Sequence, residues 1–235
     1  MKLVSALGMN DVRTIRRDSL LTYLLIAPWI LVLFLRLLST YPQYEAFYPV
    51  ALALFIILEI PMLAGVAFGF LMLDERDDRI LTALQVTPVS VNSYTLYRII
   101  TTTIFSFIYV MITLPVTGLM DNSLWAKVIP VALVASLFSI VTLLLLVGFA
   151  NNKVEGLAIM KAFGIMMIGP LADFWIASDW KLLLGILPTY WPVKAFWLIL
   201  EGETAWLYLG IGLIYALVWI LALYKRFDLK LRQLG

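Results

Sequence analysis

The chain has no cysteine and no histidine. Without cysteine there is no disulfide framework and no thiolate chemistry. Without histidine, imidazole acid–base catalysis and histidine-based metal sites are excluded. The same absence removes H-E-x-x-H and any serine activated by an imidazole, and G-x-S-x-G does not occur. There is also no G-x-x-x-x-G-K-[ST], so the chain carries no P-loop of its own. Charge is scarce, at 14% of 235 residues, where soluble domains carry about a quarter. Asp77 and Asp78 are adjacent. On a helix they point about 100° apart and form no acid/base pair on one face.

What is abundant is apolar surface: 63% of residues are hydrophobic and the mean hydropathy is +0.98. A membrane helix needs about 20 mainly apolar residues. Six segments qualify: 19–38, 50–72, 99–119, 128–149, 157–177 and 204–224. The first follows a polar leader with Arg13, Arg16 and Arg17, and its apolar run reaches Leu38 without a small-residue cleavage site. It reads as a retained helix, not a secretory signal. The expected fold is an all-α integral membrane protein, one permease-like domain over 1–235 with six transmembrane helices.

An even number of spans puts both termini on one side. Lys2, Arg13, Arg16, Arg17, Arg76, Arg79, Arg98, Lys153, Lys161, Lys225, Arg226, Lys230 and Arg232 fall on that side. Only Arg36, Lys127, Lys181 and Lys194 fall on the other. By the positive-inside rule both termini are expected in the cytoplasm, in a cell (inner) membrane. The basic clusters are small and lie next to spans, so anionic lipid explains them better than nucleic acid does.

Residues 1–18 place Leu3, Val4, Leu7, Val12 and Ile15 at roughly helical spacing, the pattern of an interfacial amphipathic helix. Span two contains Gly65 and Gly69, a small-xxx-small face that permits close helix contact. Pro28, Pro61, Pro115, Pro130 and Pro170 lie one to a span. Residues 178–203 hold two apolar pieces too short to cross, broken at Pro188 and Pro192. They read as a re-entrant half-helix pair before the last span, and Trp180, Tyr190, Trp191, Trp197 and Trp206 suit an outer aromatic belt. The competing reading, a seventh span over 182–200, would put the basic tail outside.

Ionisable groups inside spans are candidate functional residues. Glu59 lies midway through span two, and is either a pathway residue or a structural hydrogen-bond partner. Asp173 lies near the outer end of span five, where it can reach interfacial water.

The densest charge in the chain lies at Asp74-Glu75-Arg76-Asp77-Asp78-Arg79. It is followed by Ile80, Leu81 and Leu84, one face of a short helix, and by Thr87-Pro88, which ends it. Ser90 can cap the next helix, which runs through Tyr94 and Arg98 into span three. A charge run between spans is usually a solvated loop. The order of residues here says more. Glu75 to Ser90, with Tyr94 and Arg98 beyond, resembles the coupling segment of type-2 permeases of ABC transporters. That pattern is an acidic-basic pair, a second acid, a hydrophobic helix ending in Thr-Pro, and an aromatic and a basic residue leading into span three. The six spans, the amphipathic leader and the loop Leu187–Pro192 are similar to small export permeases of that family. The family often has Gly-Thr after the acids, where this chain has Arg79-Ile80.

The resemblance implies a non-enzymatic permease subunit of an ATP-driven exporter, of the kind found among drug, antibiotic and fluoroquinolone-type permeases. It implies that Glu75, Arg76, Asp77, Asp78, Ile80, Leu81, Leu84, Thr87 and Pro88 couple to a cytoplasmic ATP-binding subunit. ATP and Mg would be bound by that partner, and this chain would hold no cofactor or metal. A second permease copy or paralogue is expected, with Glu59 and Asp173 in the translocation pathway and Pro188, Tyr190 and Trp191 at an outer gate. Two other readings stand beside it: a proton-coupled secondary transporter using Glu59, and a non-transporting membrane scaffold or immunity protein.

Overall fold

The computed structural model describes residues 2–78, 91–176 and 179–234, and every regular element among them is helical. Helix α1 (Lys2–Arg17) is followed by a single extended residue, Asp18, and then by α2 (Ser19–Leu38). The second span runs 36 residues from Pro42 to Asp77. It is built from a 3-10 turn (Pro42–Phe47), α3 (Tyr48–Leu52), a π-helical turn (Ala53–Leu58) and α4 (Glu59–Asp77). It outruns the apolar stretch 50–72 because the acidic residues after Leu73 continue the helix. Next come α5 (Val91–Val116), a short turn at Asn122–Leu124, α6 (Trp125–Phe149) and α7 (Lys153–Trp175). A 3-10 segment (Asp179–Ile186), α8 (Tyr190–Leu200) and α9 (Trp206–Leu234) complete the chain.

Among the described residues, six helical stretches are long and apolar enough to cross a membrane. The 178–203 region contributes none of them. Its two helical pieces have 8 and 11 residues, short of the roughly 20 that a crossing needs. The architecture is therefore that of a six-span, multi-pass membrane protein, with the break between the two pieces falling at Leu187–Thr189.

The core is the contact of α4 with α6, the most extensive helix pair and the two most deeply buried spans. The reason lies in two glycines. A methyl group at Gly65 would run into the Thr142 hydroxyl and the Ser139 carbonyl, and one at Gly69 would stand 2.9 Å from Leu146 Cδ1. In lipid, helices gain little from burying apolar groups against each other, so close backbone approach supplies the attraction. The Thr142 hydroxyl reaches across the seam to within 3.3 Å of the Met62 carbonyl, and lies 3.1 Å from the Phe138 carbonyl of its own helix. The outer helices α2, α7 and α9 leave most of their surface uncovered within one protomer.

The π-helical turn has a local cause. Pro61 lacks a donor, and its ring crowds the carbonyl four residues back. That carbonyl belongs to Ile57, inside the widened turn, which makes the necessary room. The turn is completed by the Glu59 N–H, which bonds Leu54 O five residues back.

The aromatic belt expected near the end of the chain is only partly there. Trp206 is 72% exposed, as a membrane-interface residue should be. Tyr190 and Trp197 are instead buried in the protein. Trp197 Nε1 donates to Pro49 O at 3.0 Å, and Tyr190 is engaged by Asp173, as described below. Helix α8 packs inward because its buried face carries Tyr190, Val193, Phe196, Trp197 and Ile199. The side chain of Trp180 lies outside the described residues.

Candidate functional site: a buried charge cluster at the face that carries both termini

The coupling pattern enters the structure through α4 and leaves it through α5. Arg79, Ile80, Leu81, Leu84, Thr87, Pro88 and Ser90 lie outside the described residues. Of the four flanking positions, Asp77 and Asp78 are exposed at the end of α4. Glu75 and Arg76 turn inward.

Glu75 is buried and faces Arg98, whose side chain is fully enclosed. Arg98 Nη2 pairs with Glu75 Oε1, and Arg98 Nη1 lies 2.7 Å from Asp11 Oδ2. Two tyrosines complete the set. The Tyr94 hydroxyl donates to Glu75 Oε2 and accepts from Arg98 Nε at 2.9 Å. The Tyr97 hydroxyl donates to Asp11 Oδ2 at 2.9 Å. The guanidinium carbon also sits 5.2 Å from the Tyr94 ring centre and 5.5 Å from that of Tyr97, within cation–π range. Each carboxylate thus has one tyrosine and a share of one arginine. The cluster ties α1, α4 and α5 together.

Why these residues meet follows from spacing. Tyr94 and Arg98 are four apart on α5, so they share a face. Glu75 stands in the last turn of α4, and Asp11 is on the buried side of α1. Asp11 and Tyr97 were not legible in the sequence. The available signal was an acid on the apolar side of a basic amphipathic helix.

A second ionic junction lies on the same face. Asp18 caps α2: its Oδ1 accepts from Leu20 N (2.8 Å) and Leu21 N (3.0 Å). Its other oxygen pairs with Lys153, whose ammonium also lies 2.7 Å from Asp74 Oδ2. Burial opposes ionisation of Asp18, but the Lys153 ammonium and the two helix amides outweigh it and hold the carboxyl below its ordinary value. Arg76 donates to Ala150 O at 2.7 Å, and Lys230 donates to the same carbonyl at 2.7 Å. Two cations therefore satisfy the buried carbonyl just past the end of α6.

On the opposite face Asp173 is buried, not in contact with interfacial water as its position near a span end suggests. Lys194 Nζ lies 3.2 Å from Asp173 Oδ2, and the Tyr190 hydroxyl donates to Asp173 Oδ1 at 3.2 Å. Asp173 and Lys194 border a cavity of about 240 Å³ that also touches Pro49, Phe174 and Trp197. Pro188, two residues before Tyr190 in the chain, is buried as well. Trp191 donates from Nε1 to Gly185 O at 2.9 Å, which staples the 3-10 segment to α8. Glu59 is far from these clusters in the chain, at the centre of the second span, beside a pocket between α4 and α7.

Six membrane-length helices and charge clusters on opposite faces, with no water-soluble domain among the described residues, define a helical membrane-embedded protein. The matched family is more specific. Residues 11–224 match the model of the Rv2686c-like fluoroquinolones export permease proteins, and the chain belongs to that family. It is 38% identical to fluoroquinolones export permease protein Rv2686c of Mycobacterium tuberculosis strain ATCC 25618 / H37Rv, over 97% of this chain and 95% of the relative. The same identity and coverage hold for fluoroquinolones export permease protein MT2760 of strain CDC 1551 / Oshkosh. No solved structure matches the chain. The chain is thus a transport permease.

Proposed function

We propose that this chain is the membrane subunit of an ATP-driven ABC exporter. A separate cytoplasmic ATP-binding subunit docks on residues 75–88 and binds the ATP and Mg. Two permease copies, or this chain and a paralogue, form the pathway. Both termini lie in the cytoplasm, and fluoroquinolone-like antibiotics are the substrate class, by analogy with the names of the relatives.

The observation that supports this reading is how the first residue of the motif is anchored. It begins with Glu75, which is locked to Arg98 of span three and through it to Asp11 of α1, and Asp77 and Asp78 after it are exposed at the end of α4. A push on the motif by a docked ATPase therefore reaches three helices at once. Spans two and three tilt together, and α1 moves with them. On the far side, Pro188, Tyr190 and Trp191 serve as the exit gate, and the Asp173–Lys194 pair holds α8 against α7 until they move.

The test is Leu84→Asp in the assembled transporter, with the permease level followed by an epitope tag. We expect normal membrane levels, loss of the co-purifying ATPase, and loss of ATP-dependent antibiotic export. If the ATPase still co-purifies and stays coupled, the docking site is wrong. Efflux that persists without any ATPase and collapses with the proton gradient would replace this reading with a secondary transporter.

A further inference from the structure

Glu59 has no hydrogen-bond or ionic partner among the described residues. Its neighbours explain why. The pocket beside it, about 160 Å³, is lined by Met62, Leu63 and Val66 of α4 and by Met160, Phe163 and Met167 of α7. None of these side chains can donate a hydrogen bond to a carboxylate. A carboxyl placed inside a span for structural reasons is normally satisfied by a nearby donor. Asp173, with Lys194 and a tyrosine, is that ordinary case in the same protein. Glu59 departs from it.

Two further features point to a ligand. The pocket is open at its side, and a methyl group added at Gly164, on its α7 wall, would meet nothing within 4 Å. The space is therefore not already filled by the protomer. The wall also carries three methionines, Met62, Met160 and Met167, beside the Phe163 ring. Thioethers are polarisable and change rotamer easily, so such a wall packs against flat ring systems of varied outline. The carboxylate itself is presented next to the π-helical turn, in which its own N–H takes part. Turns of this kind are frequent at functional sites.

We propose that the α4–α7 pocket is a recognition site for lipophilic aromatic amines. Glu59 pairs with the ammonium of the ligand, and the methionines and Phe163 pack against its rings. The site discriminates by charge. In a low-dielectric setting an ammonium satisfies the carboxylate, a neutral analogue leaves it unpaired, and an anion is repelled. This assignment rests on the transport reading given above and supplies its substrate chemistry.

The test uses full-length permease in nanodiscs and two probes, a fluoroquinolone with a free piperazine amine and its N-acetyl derivative, which lacks the ammonium. Binding is read from the intrinsic fluorescence of the probes. Loss of a charge-assisted contact corresponds to a weakening of about ten-fold or more, so Glu59→Gln should weaken the free amine by that factor and leave the N-acetyl form, whose remaining carboxylate Glu59 repels, bound as well as before or better. Met160→Ala should weaken both probes alike, because it removes packing and not charge. Equal effects of Glu59→Gln on both probes, no effect on either, or a wild type that does not prefer the amine would each overturn the assignment. So would dissociation of a permease dimer by Glu59→Gln, read by light scattering, since the carboxyl would then belong to a contact between copies. ATP-driven efflux of the same probes by the wild-type transporter separates the two claims. Amine selectivity through Glu59 without efflux sinks the export reading alone, and efflux indifferent to Glu59 sinks this one alone.

Discussion

Arg98 has a fully enclosed guanidinium with two carboxylates around it. A buried ion pair adds little net stability, because desolvation offsets the attraction, but removing one partner leaves a charge stranded. Arg98→Met should therefore destabilise the protein by about 3–5 kcal/mol. Adding Glu75→Gln and Asp11→Asn to that variant should recover part of the loss. Thermal unfolding of the purified proteins in one detergent measures both. If Arg98→Met is as stable as wild type, the cluster does not hold α1, α4 and α5 together. This site was only half visible in the sequence. Glu75, Tyr94 and Arg98 stand out in the coupling pattern. Asp11 is 87 positions from Arg98, and neither composition nor helical period links residues that far apart. Arg98 also served as a topology marker, and a charge counted for orientation does not reveal its partner.

Helix packing rests on where the glycines sit. Gly65 abuts the Ser139 backbone, which cannot step aside, whereas Gly164 faces open space. Gly65→Ala should destabilise by about 1–3 kcal/mol or more through overpacking, and Gly164→Ala should be tolerated. The contrast can be checked by the same unfolding assay, and equal effects would show that α4 and α6 are not in close contact. Gly65 and Gly69 signalled this contact in advance, because small residues four apart are a local pattern. The burial of Asp173 was not foreseeable. Its position near a span end suggests water, but Lys194 and Tyr190 reach it from α8, an element whose inward tilt depends on tertiary packing. The spans themselves were legible from length and hydropathy. Their ends were less so: α5 begins before the apolar stretch does, at Val91, because polar helix continues past hydrophobic helix without a compositional mark.

Because the chain has no cysteine, single introduced cysteines report topology without background. Asn151 lies between α6 and α7 on the face that carries both termini, and Asn122 lies on the opposite face; both are exposed. With cytoplasmic termini, an impermeant maleimide added to intact cells should label Asn122→Cys and spare Asn151→Cys, and permeabilisation should expose the second. The reverse pattern would invert the orientation and place the coupling motif outside, away from ATP. The uncovered faces of α2, α7 and α9 are larger than a solitary protomer in water could tolerate, and in a bilayer they are available to lipid or to a second permease.

The Asp11–Arg98 contact also bears on how the protein is made. A ribosome delivers α1 first, and its anchor only when span three emerges. Until then Asp11 lacks its arginine, and α1 is held to the growing bundle by its packing on span one and a smaller contact with span two. A chain arrested just short of residue 98 should therefore show an N-terminal helix open to protease, and one arrested after span three should not. The arginine that joins three helices in the finished protein is also the point in synthesis at which the N-terminus becomes fixed.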